Sequence, residues 1–151
     1  LALYDIPVWL HAADRDIMSQ ITGGFRGMES FSFLKHDFPT ADLSDGQLLT
    51  VGGSTWTVLH TPGHTPGGVC FWNRENRLLL SGDSLFADSI GRTDLAGGDY
   101  DLLMASLREK VLTLPDDTDV IPGHGQPTTI GREILYNPFL QPFNEAYDDP
   151  E

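Results

Sequence analysis

The stretch "QLLTVGGSTWTVLHTPGH", residues 47–64, decides how this chain is read. Leu48–Val51 and Thr55–His60 place β-branched and aromatic residues on both sides of Gly-Gly-Ser, the pattern of two antiparallel strands joined by a tight turn. The second strand then runs through Thr61, Pro62 and Gly63 into His64. Proline fixes φ and glycine admits positive φ, so a turn accounts for those two residues. It leaves the histidine unexplained.

The same punctuation recurs downstream. "RLLLSGD", residues 77–83, is an apolar strand ending in Gly82 and Asp83, and "DVIPGH", residues 119–124, ends in Gly123 and His124. In each case a glycine lets the chain turn at the end of a rigid strand, and the next side chain projects from the tip. The three residues lie far apart in sequence, so they meet only if the strand ends gather on one rim. Two imidazoles and a carboxylate suit zinc, iron or manganese rather than calcium or magnesium. A lone histidine in a Gly-Pro turn is ordinarily a loop residue. Three repeats of the pattern make metal ligation the expectation, with ligand atoms about 3 to 5 Å apart around bonds of about 2 Å. Asp83 is the most informative, because a carboxylate at the core edge is costly unless it is paired or metal-bound.

The remaining elements follow from periodicity and turn residues. "IPVWLH", residues 6–11, reads as a buried strand, and "AADRDIMSQI" after it as a short helix. Residues 22–48 read as a meander of Gly, Phe, Ser and Asp with at most short elements. "GVCFWNRENRLLLSGD" is a second hairpin turning at Asn73–Asn76. Apolar residues at 103, 107, 111 and 114 give a helix one buried stripe, with Asp99 or Asp101 as its cap and Lys110 toward its negative end. "TTIGREILYNP" is a last helix stopped by Pro138. No internal repeat is present. Hairpins with helices outside imply a layered α+β protein.

The other candidate groups read as structural. His60 sits on a strand near His64 as a supporting or core residue, His11 ends a strand, and His36 in "FLKHDF" is solvated. Cys70 alternates with Val69 and Phe71 as a buried thiol.

Composition narrows the function classes. A chain of 151 residues fits one domain, residues 1–151. A net charge of −13 opposes binding to nucleic acid or anionic lipid. One cysteine gives no intrachain disulfide, and no apolar run approaches the roughly twenty residues of a membrane span. The expected location is cytoplasmic. The oligomeric state is not legible.

"TPGHTPGG", "LLLSGDSLFADSIGRTDL" and "VIPGHGQPTTIGREILYNPF" resemble the metallo-β-lactamase superfamily, and within it the small glyoxalase II-like hydrolases; "IPVWLHAADRD" is a weaker match upstream. The resemblance implies an αββα sandwich with a metal site at one edge of paired sheets. It implies that His64 completes the ligands of a first metal, Asp83 bridges two metals, and His124 binds the second. Two zinc ions are implied for the complete protein, with iron or manganese as alternatives. The family's His-x-His-x-Asp-His motif has no counterpart here, and the opening "LALYDIPVWLH" has neither an initiator methionine nor a cap. The chain is therefore expected to be the C-terminal portion of a fold incomplete at its N-terminus, with weak metal binding and low activity as written.

The implied chemistry is hydrolysis. A bound divalent metal lowers the pKa of its water to about 7 and polarises a carbonyl, so hydroxide attacks a thioester or ester. The loop "FADSIGRTDLAGGD" is placed to line the substrate mouth. Arg92 within it either meets an anionic substrate group or pairs with Asp88 or Asp94. The short acidic tail "LQPFNEAYDDPE" does not resemble the basic C-terminal domain that holds glutathione in classical glyoxalase II, so a broader thioesterase of the short type is expected. Two alternatives stand: a mononuclear iron persulfide dioxygenase, and a non-catalytic fragment that binds a partner through an exposed sheet edge.

Overall fold

Gly52 and Gly53 close the first hairpin, both at positive φ of 57° and 84°, the backbone that a two-residue turn between twisted strands requires. A computed structural model describes residues 7–15 and 40–141 of the chain. Strands β3 (Leu48–Val51) and β4 (Ser54–His60) pair antiparallel from Leu48 opposite Thr57 to Val51 opposite Ser54. The second hairpin joins β5 (Val69–Asn73) to β6 (Leu78–Gly82). Asn73 ends its strand, and its side-chain oxygen accepts the Asn76 N–H at 3.0 Å to hold the turn.

Strand β9 (Asp119–Pro122) lies parallel to β6, and β10 (Thr128–Thr129) antiparallel to β9. The result is a six-stranded sheet ordered β10-β9-β6-β5-β4-β3. A parallel step needs a crossover. Here it contains the small hairpin β7 (Leu85–Phe86) and β8 (Ser89–Ile90) and then helix α1 (Tyr100–Ser106), which continues as one π-helical turn over Leu107–Val111. Because β5 runs against both β4 and β6, and β9 runs with β6, the C-terminal ends of β4, β6 and β9 reach the same edge of the sheet.

The core lies between one sheet face and the crossover. Cys70, Trp72, Leu79 and Val120 from the sheet pack with Leu103, Met104, Leu107 and Val111 from the helix, and with Leu85, Ile90 and Ile130. Each such large side chain contributes about 1.5–3 kcal/mol by leaving water. Asp99 caps α1 by accepting the Leu102 N–H at 2.9 Å. Lys110, expected beside the helix's own C-terminal carbonyls, instead crosses to the sheet, where its Nζ reaches Asp45 and the His60 carbonyl, each at 2.9 Å. Helix α2 (Ile130–Tyr136) starts at a Thr129 cap and ends before Pro138.

One expectation changes. Strand β1 (Val8–His11) is not fully buried: it pairs parallel with β2 (Thr40–Leu43) in a separate two-stranded sheet, and Trp9 stays nearly half exposed. Strand β2 is a short element of the kind allowed within residues 22–48, and its four residues are too few to show a period. After β1 the described chain forms a single 3₁₀ turn, Ala12–Asp14. The rest of the helix expected there, and residues 22–39 with His36, lie outside the described residues. Among the described residues no helix is long and apolar enough to cross a membrane.

Candidate metal centre

His64 sits four residues beyond the end of β4, in a loop held from several directions. Gly63 has φ of 132°, and a Cβ there would run into Leu103 of α1. Thr61 N–H bonds to Gly68 O at 2.8 Å, Gly63 N–H to Thr65 O at 3.0 Å, and Asp99 N–H to Gly63 O at 2.8 Å. Asp14 accepts the Thr65 hydroxyl at 2.8 Å and the Gly67 N–H at 2.6 Å. The His60 Nε2 is 3.0 Å from Pro66 O, and the His60 ring stacks on His11 with centroids 3.9 Å apart. His64 itself donates from Nδ1 to Arg92 O at 2.8 Å. A carbonyl can only accept, so in the neutral ring the lone pair is on Nε2. That atom faces Asp83 Oδ2 at 3.6 Å.

Asp83 follows an irregularity in β6, where the register with β9 shifts between Leu80 and Gly82 and Gly82 adopts φ of 51°. A bulge of this kind re-aims the next side chain. The Asp83 side chain is 41% exposed, more open than a carboxylate at a closed core edge, because it projects into a cleft. Its Oδ1 lies 3.8 Å from His124 Nε2. Gly123 N–H bonds to Gly82 O at 2.8 Å, so the loops that carry Asp83 and His124 are tied together. A Cβ on Gly123 would land on Asp83 Oδ1. The His124 ring stacks on Phe86, with centroids 4.5 Å apart and planes at 30°.

The structure therefore brings His64, Asp83 and His124 together at one rim. Both separations are too long for hydrogen bonds. They suit an interposed cation, since two bonds of about 2 Å span such gaps. The carbonyl that fixes His64 Nδ1 is the outer partner a ligating imidazole usually has. Among the described residues, no group of three or more His, Cys, Asp or Glu side chains is placed to hold a single metal ion, so each gap offers one imidazole and the shared carboxylate.

Arg92 approaches the centre through its backbone. Its guanidinium binds Asp94 with two bonds, Nε to Oδ1 at 2.8 Å and Nη2 to Oδ2 at 2.9 Å, and holds the Asp94 carboxyl down to about 2. Asp88 pairs instead with Arg132, Nη1 to Oδ1 at 2.9 Å and Nη2 to Oδ2 at 2.9 Å, and the Arg132 bonds lower its pKa. Both arginines line an open cleft of about 900 Å³ together with Phe86, Ile90, Leu95 and Pro127. Cys70 is fully buried, and burial pushes its thiol pKa up.

Three supporting groups have no place in the sequence reading. Thr61 and Ser84 join the loops that carry His64 and Asp83 through their hydroxyls at 3.0 Å. Asp14 reaches the His64 loop from more than fifty residues upstream, which no local spacing reveals. Glu133 is fully buried, and here a signal existed: Ile130, Glu133 and Asn137 share the i, i+3, i+7 stripe that should be apolar.

Comparison with known proteins identifies the family and the fold. The sequence profile of the metallo-beta-lactamase superfamily matches residues 1–124. An uncharacterized protein of Mycobacterium leprae is 42% identical over 144 residues, covering 91% of this chain and 66% of that protein. The hydroxyacylglutathione hydrolase GloC of Haemophilus influenzae is 48% identical over 96 residues, covering 64% of this chain and 45% of its own length. The crystal structure of TTHA1623 in a di-iron-bound form superposes with a TM-score of 0.77 at 38% identity, over 92% of this chain and 67% of that one. The chain thus spans about two thirds or less of the length of these curated relatives.

Proposed function

The chain belongs to the metallo-beta-lactamase superfamily, and on that premise we propose that it carries part of a two-metal hydrolase centre in which His64 and Asp83 hold one ion, and Asp83 and His124 the other. The observation that supports this most is the Asp83 carboxylate set between two imidazoles, with the lone pair of His64 turned toward it. When bound, a divalent cation there supplies Lewis-acid activation of a carbonyl and of water. The nitrogen and carboxylate donors suit zinc, iron or manganese. The di-iron-bound relative favours considering iron beside zinc.

The substrate class is a thioester or related ester of modest charge. GloC's name supports the thioester. The apolar lining of the cleft suits an acyl group, and both arginines facing it are already committed to carboxylates. A strongly anionic substrate would have to displace Asp94 or Asp88. Asp83 would be the residue shared by both ions, and Arg92 O fixes the His64 ring that defines one side of the centre.

The test is metal analysis together with hydrolysis of a hydroxyacylglutathione and of a simple acyl thioester. It is run on the 151-residue chain and on a version preceded by a segment bearing the His-x-His-x-Asp-His motif. Two protein ligands per ion fall below the three usual in catalytic zinc sites, so the longer version should gain metal content and turnover together. Hydrolysis undiminished by chelation would refute the metal reading. Oxygen consumption with a persulfide by the iron-loaded protein, without thioester hydrolysis, would replace the hydrolase by a dioxygenase.

A further inference from the structure

The carboxyl group of Glu133 lies outside the proposed centre, yet four donors converge on it. Its Oε1 accepts from the Thr128 hydroxyl at 2.5 Å and from Arg132 at 2.7 Å; its Oε2 accepts from the Asp88 N–H at 2.8 Å and from the Asn137 amide at 2.9 Å. A fully buried acidic side chain is costly unless every lone pair is used. Here the donors come from three parts of the chain: β10, the turn between β7 and β8, and α2 itself.

Those parts flank one residue. The His124 side chain is 75% exposed, and among the described residues no hydrogen bond holds its ring. Its orientation rests on the stack against Phe86. Phe86 ends β7, and the turn that follows is gripped by α2 at three points. Asp88 gives its N–H to Glu133, the Asp88 carboxylate takes Arg132, and Ser89 O accepts the Asn137 amide at 3.0 Å. Asp88 sits at φ of 58°, a backbone that a non-glycine residue rarely adopts without such ties. On the other side, Thr128 follows His124 by four residues and is bound to the same carboxyl group.

We propose that Glu133 is a positioning residue for His124, fixing both the Phe86 ring on which the imidazole stacks and the strand that the His124 loop enters. The proposal rests on the reading of His124 as a metal ligand only for its consequence, not for the orientation itself. Glu133→Gln keeps the side-chain volume but leaves one acceptor oxygen for four donors. One NH₂ must then face a donor, and the Asp88 turn or Thr128 loses its anchor.

The experiment reads the ring protons of His124 by NMR in the metal-free chain, and then Zn(II) retention by titration. Glu133→Gln and Phe86→Leu should each move the His124 resonances toward those of an unstacked imidazole while leaving those of His64 in place. Each should also weaken retention at the His124 position about 10-fold, the scale of an outer partner's loss. Arg132→Gln, at an exposed guanidinium, should act in the same direction and serves where Glu133→Gln does not fold. His124 resonances unmoved in a folded Glu133 or Arg132 variant, or moved together with those of His64, would overturn the proposal. A moved ring with unchanged Zn(II) retention would leave Glu133 as the group that orients His124 and would instead refute His124 as a ligand.

Discussion

Gly67→Ala tests how the His64 loop is held. A Cβ built on Gly67 would lie 2.6 Å from Asp14 Cγ, 2.8 Å from its Oδ1 and 2.9 Å from its backbone N. Carbon atoms settle at about 3.5 Å or more, so the Asp14 side chain must retreat by about 1 Å. The Gly67 N–H and Thr65 hydroxyl bonds, now 2.6 and 2.8 Å, would then exceed hydrogen-bond range. Two bonds to a carboxylate would cost up to about 3–6 kcal/mol if buried. Asp14 is half-buried, so water recovers part, and the alanine gains about 0.4–1 kcal/mol by restricting the unfolded chain. A net loss of about 2 kcal/mol is expected. With a urea dependence of about 1–3 kcal/mol/M, the unfolding midpoint should fall by about 1 M. The decisive comparison is a double-mutant cycle with Asp14→Ala, which removes two of the three close atoms. In that background Gly67→Ala should lose less than half of its cost. An equal cost in both backgrounds, or none in the parent, would refute the claim that Asp14 clamps this loop.

Two further outcomes follow from the geometry. Asp83→Asn should lose far more metal than Arg92→Ala, because Asp83 faces both imidazoles while the contact of Arg92 with the centre is a main-chain carbonyl; equal metal content in the two variants would contradict the assignment. The pKa of His11 is lowered, first by burial and then by the neighbouring His60, so the unfolded chain binds the proton more readily. Stability from the His11 contact is full above about pH 6.5 and drains away as pH falls through the lower folded value. The parent should lose more of its urea midpoint between pH 7.5 and 5.5 than His11→Phe does, and parallel pH profiles would speak against it.

The legible parts of the sequence are those in which one residue type has one physical use. Two adjacent glycines between β-branched runs give the β3–β4 hairpin almost to the residue, since both need positive φ. The buried stripe of Leu103, Leu107 and Val111 and the Asp99 cap give α1 the same way. The rim of His64, Asp83 and His124 is legible because each follows a glycine after an apolar run, although β4 itself ends at His60 and His64 stands in the loop beyond it. Contacts made across the fold are not. Nothing near Asp14 announces that it will bind Thr65 and Gly67. Lys110 looks like a helix-end cation until the tertiary position of Asp45 is known. The short β2 shows no period because four residues cannot.

The repeated glycine punctuation turns out to serve unlike physical ends, and this bears on which substitutions the centre can survive. Gly63 and Gly82 are set by their dihedrals, 132° and 51°, which L-residues rarely adopt, and Gly63 must also clear Leu103 of α1. Strain at those two positions would be paid wherever the loop goes. The Gly123 backbone is not in the positive-φ region; what it cannot accommodate is volume, because the missing Cβ is the space that Asp83 Oδ1 occupies. A side chain there need not strain the loop that carries it. It displaces the carboxylate that faces His124 and His64 alike, so a change beside one imidazole is felt at both. Shifts of about 1 Å at reacting groups cost on the order of 100-fold in rate. The sequence pattern is therefore a common address for a side chain on this rim, while the physical demand behind each glycine is set by what the fold brings against it.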